Sequence, residues 1–208
     1  AAAASWAELE ASLPEPAAET PKLTLYRDTN GWCPLCERVW IALKMKNIPF
    51  DEKVINLRDK PDWYKAIVPT TLVPAVELHD ESYDPEVPGS GSLTWESADI
   101  LKLLDEQFPD TPLLSRGTEL ETTMQTVAEE VLSSGFGFSF GARNKTMAEE
   151  EKLERRAKFE GALATLEEKL SAHGGPFMSG AEPGLVDCMI IPMLERYRYQ
   201  LPLLVGGG

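Results

Sequence analysis

The tightest constraint on this chain is a change of hydrophobic period within residues 22–47. In "KLTLYRD", Leu23 and Leu25 alternate with Thr24 and Tyr26, the period of a strand. After a turn at Asn30–Gly31, Leu35, Val39 and Leu43 fall at i, i+4 and i+8, the period of a helix. Pro34 sits in its first turn, where a missing N–H costs nothing, and the pattern runs out near Asn47. A strand that feeds a helix so quickly buries both apolar faces by laying the helix back on a sheet. The two cysteines of "NGWCPLCERVW", Cys33 and Cys36, stand at that junction.

Three more strands follow: "FDEKVINL", "VPAVELH" and "GSLTW". The last two are separated by "DESYDPEVPGSG" (residues 80–91), far longer than a hairpin needs. "ESADILKLLDEQF" is helical, with Ile100, Leu103, Leu104 and Phe108 on one side. The order β-α-β-β-β-α predicts an α/β fold, a four-stranded mixed sheet with helices against it.

Beyond "PDTPLLSRG" every signal is helical. Leu120, Met124, Val127 and Val131 form one stripe. Thr146 and Glu149 make a capping-box pattern ahead of a long helix with Leu153, Phe159, Leu163, Leu166 and Leu170 on its apolar face. Gly174 and Gly175 stop it, and "EPGLVDCMIIPMLERY" predicts a third, buried helix. The expected division is an Ala- and Pro-rich leash (1–21) with a short helix at Trp6–Leu13, a mixed α/β domain (22–108), a linker (109–118) and a short all-helical domain (119–208).

Composition narrows the function classes. Acidic residues outnumber basic ones 34 to 20, a net charge of −14 that repels nucleic acid and anionic membranes on average. No apolar run is long enough to span a bilayer. The opening residues have neither the basic and apolar regions of an intact secretory signal nor the arginine of an intact transit peptide. Three cysteines do not make a disulfide framework, so a reducing compartment, cytosol or plastid stroma, is expected.

Three chemistries compete for Cys33 and Cys36. A structural zinc site needs four ligands, and the remaining cysteine and histidines, Cys188, His79 and His173, do not form a second pair. Metal binding is therefore set aside. Plain packing of two small apolar residues is the bland alternative. Against it, Cys33 directly precedes the helix, where free amides and the positive helix end stabilise a thiolate, and Cys36 lies one turn on, within reach of a mixed disulfide on Cys33. A reactive thiol pair is the favoured reading.

Three separated segments, in order, resemble the N-terminal half of glutathione transferases, above all the omega, lambda and dehydroascorbate-reductase-like classes with their glutaredoxin-like, thioredoxin-like fold. "CPLCERVWIALKMKNIPF" is similar to the family's active-site turn and first helix, "VPTTLVPAVEL" to the loop and strand that carry its cis-proline, and "LTWESADILKLLDEQFP" to its strand–turn–helix with an acid–serine pair. "FMSGAEPGLVDCMIIPMLERY" resembles the buried helix of the second half, whose early aspartate is here Asp187.

The resemblance implies glutathione as co-substrate, Cys33 as the catalytic thiolate with Cys36 beside it, and a cis Val73–Pro74 bond. Val73 would offer its backbone to the cysteinyl part of glutathione. Read alone, Ser97 simply caps a helix and Glu96 favours its positive end. Following Leu93–Thr94, they are assigned to the γ-glutamyl end of glutathione. Leu72 stands where many members carry a lysine for the glycyl carboxylate, and residues 80–91 match no family feature. The implied activity is thiol transfer or reduction of a disulfide or an oxidised small molecule such as dehydroascorbate. The competing reading is a docking or structural subunit, in a complex or a homodimer. Arg38 is open between raising the site's potential and facing solvent; Phe136, Phe138 and Phe140 of "GFGFSFG" are open between lining a cleft and packing a core.

Overall fold

A computed structural model of the chain describes residues 20–113 and 119–205. The expected helix at Trp6–Leu13, and residues 114–118 of the expected linker, lie outside the described residues.

Strands β1 (Leu23–Asp28), β2 (Phe50–Ile55), β3 (Ala75–Leu78) and β4 (Leu93–Trp95) form one sheet in the order β2-β1-β3-β4. β1 runs parallel to β2 (Leu23 opposite Phe50) and antiparallel to β3 (Tyr26 opposite Ala75), and β3 pairs antiparallel with β4. The fold class is as expected: a thioredoxin-like mixed sheet followed by helices. On one face lie α1 (Pro34–Met45) and α3 (Ser97–Gln107), burying Leu23, Leu25, Val39, Leu43, Ile100 and Leu104. Leu43 is fully buried and Asn47, at φ +52, turns the chain out of α1.

The sequence pattern missed α2 (Asp62–Ile67), which covers the opposite face. Six residues are too few for a helical period to show. Its Tyr64 packs against Tyr26, ring centroids 5.6 Å apart. This explains why residues of both parities on β1 are buried, Thr24 and Tyr26 included.

Under that second face sits Glu77, fully buried. It accepts a short hydrogen bond from the Tyr26 hydroxyl, and its other oxygen accepts the amides of Gly89 (2.9 Å) and Gly91 (3.0 Å). A Cβ on Gly91 would lie 2.2 Å from the Leu78 carbonyl oxygen, so only glycine fits there. The long excursion between β3 and β4 is thus tied down from within. Asp80 holds its base, accepting from the amides of Ser82 and Ser92. His79 stacks on Tyr83 and bonds Thr24 Oγ1 and the Pro21 carbonyl.

The helical part comprises α4 (Glu119–Arg143), α5 (Glu149–His173) and α6 (Leu185–Val205), around Met124, Val131, Phe138, Phe159, Leu166 and Ile190. The capping box is not formed. Ala148 is the N-cap of α5, and Thr146 instead donates to Asn144 Oδ1 at 2.8 Å. Glu149, Glu150 and Glu151 complement the positive helix end in its place. Leu153 is 62% exposed and leaves the expected apolar face; Phe159 and Leu166 are buried, with Leu163 and Leu170 packed beside them. Gly174, at φ +70, ends α5, and the Gly175 amide donates to His173 Nδ1. Asp187 accepts the amides of Met178 and Gly184, both at 2.9 Å, bracing the entry to α6. α6 packs on α1: Leu185 and Cys188 complete the sheet-side core.

Glu77→Ala should leave a buried hydroxyl and two amides without an acceptor. At about 1–3 kcal/mol for each orphaned group, the loss should reach about 3 kcal/mol or more in a denaturant titration. Glu77→Gln, which still accepts from both amides, should cost clearly less; equal losses would show that packing, not these bonds, holds the excursion.

Candidate active site

Cys33 is the N-cap of α1, extended at φ −69°, ψ 113°, with its carbonyl accepting the Glu37 amide at 3.1 Å. Its side chain is half-buried, whereas Cys36, one turn on, is 2% exposed. The Cys36 S–H points its dipole at Cys33, and this is the main reason the Cys33 thiol is drawn down to about 6. The amides of Cys36 and Leu35 face the sulfur and lower it further, without closing a capping hydrogen bond, against the opposing effects of burial and Asp28. The Cys33 sulfur and burial push the Cys36 thiol strongly up in turn. One sulfur is therefore an accessible thiolate at neutral pH and the other a protonated donor. The third cysteine, Cys188, is fully buried, 3.5 Å from Met45 Sδ, and burial lifts its thiol to about 12. All three are free.

The loop that presents Cys33 is held by residues the sequence reading did not single out. Asp28, ending β1, accepts the Trp32 amide at 2.8 Å. Arg196 of α6, buried, donates to the Trp32 carbonyl at 3.2 Å and the Gly31 carbonyl at 3.3 Å. Its guanidinium lies 4.9 Å from the Trp32 ring centroid and pairs with Glu37 of α1 and its neighbour Glu195. No local pattern reveals such a contact, since 164 positions separate Arg196 from Trp32. Arg38 is half-buried and structural, donating to the Met189 carbonyl at 2.9 Å, with Nη1 at 3.4 Å from Ser97 Oγ.

Of the remaining residues assigned from the sequence, Val73 packs beside Cys36, whereas Glu96 and Ser97 stand at the start of α3. Val73 and Cys36 share one buried cluster with Tyr26, Ile55, Tyr64 and Ala75, and Cys33 and Trp95 pack against it. The Val73–Pro74 peptide is cis. Tyr64 donates to the Leu72 carbonyl at 2.6 Å, fixing the loop, while the Leu72 side chain is exposed. Glu96 directly follows Trp95; it is exposed and held at φ +72°, ψ 113°. For a residue with a Cβ that backbone costs about 1–3 kcal/mol, the kind of strain that collects at functional sites. Ser97 does not cap α3 but is its first residue, with its side chain buried; Glu96 takes the N-cap position, with no side-chain capping bond.

Two hollows flank the turn that carries Cys33, and only the first is lined by the thiols. One, about 340 Å³, is lined by Asp28, Trp32, Cys33, Cys36, Glu37 and Arg196 among others. The second, about 250 Å³, opens between the Trp32–Pro34 turn and the helical part, against Phe136, Phe140, Arg143 and Tyr197. Both readings of "GFGFSFG" hold, for different rings. Phe138 packs in the helical core, whereas Phe136 and Phe140 are exposed along the cleft.

Residues 32–107 match the family model for the glutathione S-transferase N-terminal domain, and residues 125–205 the model for the C-terminal domain. The chain is 35% identical over 165 residues to pyrimidodiazepine synthase of Drosophila melanogaster, covering 79% of this chain and 61% of that protein. It therefore spans about three fifths of that relative's length. To probable glutathione S-transferase DHAR1, cytosolic, of Oryza sativa subsp. japonica it is 30% identical over 179 residues, 86% of this chain and 73% of the other. The crystal structure of Chlamydomonas reinhardtii dehydroascorbate reductase superposes with a TM-score of 0.71 at 21% identity, over 89% of this chain and 80% of that one, a likeness of fold.

The asymmetry of the thiols sets a pH dependence. Cys33 alkylation by iodoacetamide should stand near its plateau at pH 7 and fall as pH drops through about 6, with Cys36 and Cys188 spared in the native protein. Cys36→Ala removes the S–H donor and should move that inflection upward; an unchanged inflection would assign the effect to the helix end alone.

Proposed function

The chain belongs to the glutathione S-transferase family, and on that premise we propose that it is a glutathione-dependent thiol transferase or small-molecule reductase working through the Cys33 thiolate. The observation that carries this reading is the unequal thiol pair at the start of α1: a half-buried sulfur drawn down to about 6 beside a buried, protonated one. In the reaction proposed, the Cys33 thiolate attacks a glutathione mixed disulfide, forms a Cys33–glutathione disulfide and expels the substrate as its thiolate. A second glutathione thiolate attacks that disulfide at the glutathione sulfur, yielding glutathione disulfide and restoring Cys33. A low-pKa sulfur is the better leaving group, so this second step does not need Cys36. Cys36 serves the dithiol branch: it attacks Cys33, releases glutathione and leaves a Cys33–Cys36 disulfide. An oxidised small molecule such as dehydroascorbate is the alternative electrophile.

Glutathione is assigned to the edge beyond the cis peptide, its cysteinyl part on the Val73 backbone and its γ-glutamyl end at Glu96 and Ser97. The exposed Leu72 leaves the glycyl carboxylate without a lysine there. The cleft against Phe136, Phe140 and Arg143 suits an apolar or anionic second substrate. The free thiols fit a reducing compartment, cytosol or plastid stroma. Among the described residues no helix is long and apolar enough to cross a membrane.

Cys33→Ser should abolish glutathione-dependent reduction of a small mixed disulfide in an assay coupled to glutathione reductase. Cys36→Ser should leave that activity largely intact while losing reduction of protein disulfides. Leu72→Lys should tighten glutathione binding by up to about fivefold, the scale of an exposed ion pair. A wild-type protein that neither binds glutathione nor turns over would transfer the case to the docking-subunit reading.

A further inference from the structure

The first hollow contains more than a thiol pair. Asp28, at the end of β1, is 3% exposed. Its Oδ2 accepts the Trp32 amide, but its buried Oδ1 has no hydrogen-bond partner among the described residues. A buried carboxylate oxygen is costly without a partner, and such groups are normally satisfied by a donor, a water or a cation. Here the carboxylate and both sulfurs converge: the donor atoms of Asp28, Cys33 and Cys36 all lie within 4.8 Å of one another. Among the described residues this is the one group of three or more such donors. The sequence reading set metal aside because it counted cysteines and histidines alone. The carboxylate comes from the strand before the turn, and Cys188, His79 and His173 have other partners.

We propose that Asp28, Cys33 and Cys36 form a three-donor site for a thiophilic divalent cation of the zinc type, with its fourth position open to the adjoining hollow. Two thiolates and one carboxylate are a donor set for tetrahedral zinc, with metal–sulfur bonds of about 2.3 Å and metal–oxygen bonds of about 2.0–2.2 Å. Those lengths place ligand atoms about 3.5–3.8 Å apart at tetrahedral angles, so side-chain rotation of about an ångström or less closes the site. Three protein ligands and an open position mark a site that exchanges its fourth ligand; an exogenous thiolate, glutathione's included, suits it. Binding forms two metal–sulfur bonds and one metal–oxygen bond, and any thiol protons pass to the buffer. No electron is transferred. A bound cation ties up the Cys33 sulfur, so the site regulates the thiol chemistry by occupancy: metal-loaded protein is silent and a chelator restores it.

The inference goes beyond the transferase reading and does not depend on it, because the titration contains no glutathione. Reduced full-length chain, kept anaerobic, is titrated with Zn²⁺ against a chromogenic chelator and, separately, with Co²⁺ followed by absorption. The expected result is one tight site per chain, a tetrahedral Co²⁺ spectrum with thiolate charge-transfer absorption, and loss of Cys33 alkylation at one equivalent of Zn²⁺, reversed by EDTA. Cys33→Ser and Cys36→Ser should each lose the charge-transfer band or halve it, and Cys188→Ser should change nothing. Asp28→Asn, near-isosteric and checked for fold by circular dichroism, should weaken Zn²⁺ binding at least about tenfold, the floor set by loss of an outer-shell partner. Equal affinity in Asp28→Asn, or an octahedral Co²⁺ spectrum, overturns the site. Should Asp28→Asn fail to fold, X-ray absorption at the zinc edge of wild-type protein decides. Two sulfurs with oxygen neighbours support the site, whereas four sulfurs or none refute it.

Discussion

Everything at the thiol site depends on how rigidly α1 is held, because the amides and the S–H that lower Cys33 act only while aimed at it. The helix is clamped along its length. Its start is fixed by Asp28 on the Trp32 amide and by Arg196, which reaches from α6 to the Gly31 and Trp32 carbonyls and to Glu37. Its middle is tied to α6 by Arg38 on the Met189 carbonyl. At its far end the fully buried Lys46 ammonium pairs with Asp105 of α3 at 2.8 Å. A buried ammonium is tolerable only with such a partner, so this pair fixes register as much as it adds stability. The helical part is thus a second wall beside the thiol-bearing turn as well as a cover for the sheet.

The second requirement is burial of Cys36. Had the sheet's far face stayed open to water, Cys36 would be a second ordinary thiol and Cys33 would lose a dry, directed donor. α2 closes that face with Tyr64, whose hydroxyl also pins the loop before Val73. The same small helix therefore shapes the sulfur's surroundings and the edge assigned to glutathione. Burial elsewhere has the opposite consequence: at Cys188 desolvation and the nearby Asp187 outweigh the backbone amide that faces the sulfur, and the residue serves as core.

The strand–turn–helix unit, the mixed sheet and the three long helices were legible because their apolar residues recur at clear periods over many residues. The cysteine pair was legible because its position before Pro34 is itself the chemical argument. Other features were not, for physical reasons. α2 is too short to show a period, and the Thr146–Glu149 pattern gave way when Thr146 found Asn144 closer to hand. Leu153 shared the spacing of the apolar face yet lies in the first turns of α5, where none of the described residues covers it. Arg196 acts across 164 positions, a distance no local pattern spans, whereas Asp28 is only four residues from Trp32 and was passed over because its strand position reads as the end of β1 and not as part of the thiol site.

The central claim is that Cys33 alone carries the transferable thiol, by virtue of its place at the start of α1. Peptide mass spectrometry after brief exposure of the native Cys36→Ser protein to glutathione disulfide tests it most directly. A single glutathione adduct on Cys33, removed by reduced glutathione with Cys188 unmodified throughout, is the result predicted. An unmodified Cys33, or glutathione spread across Cys33 and Cys188, would contradict it.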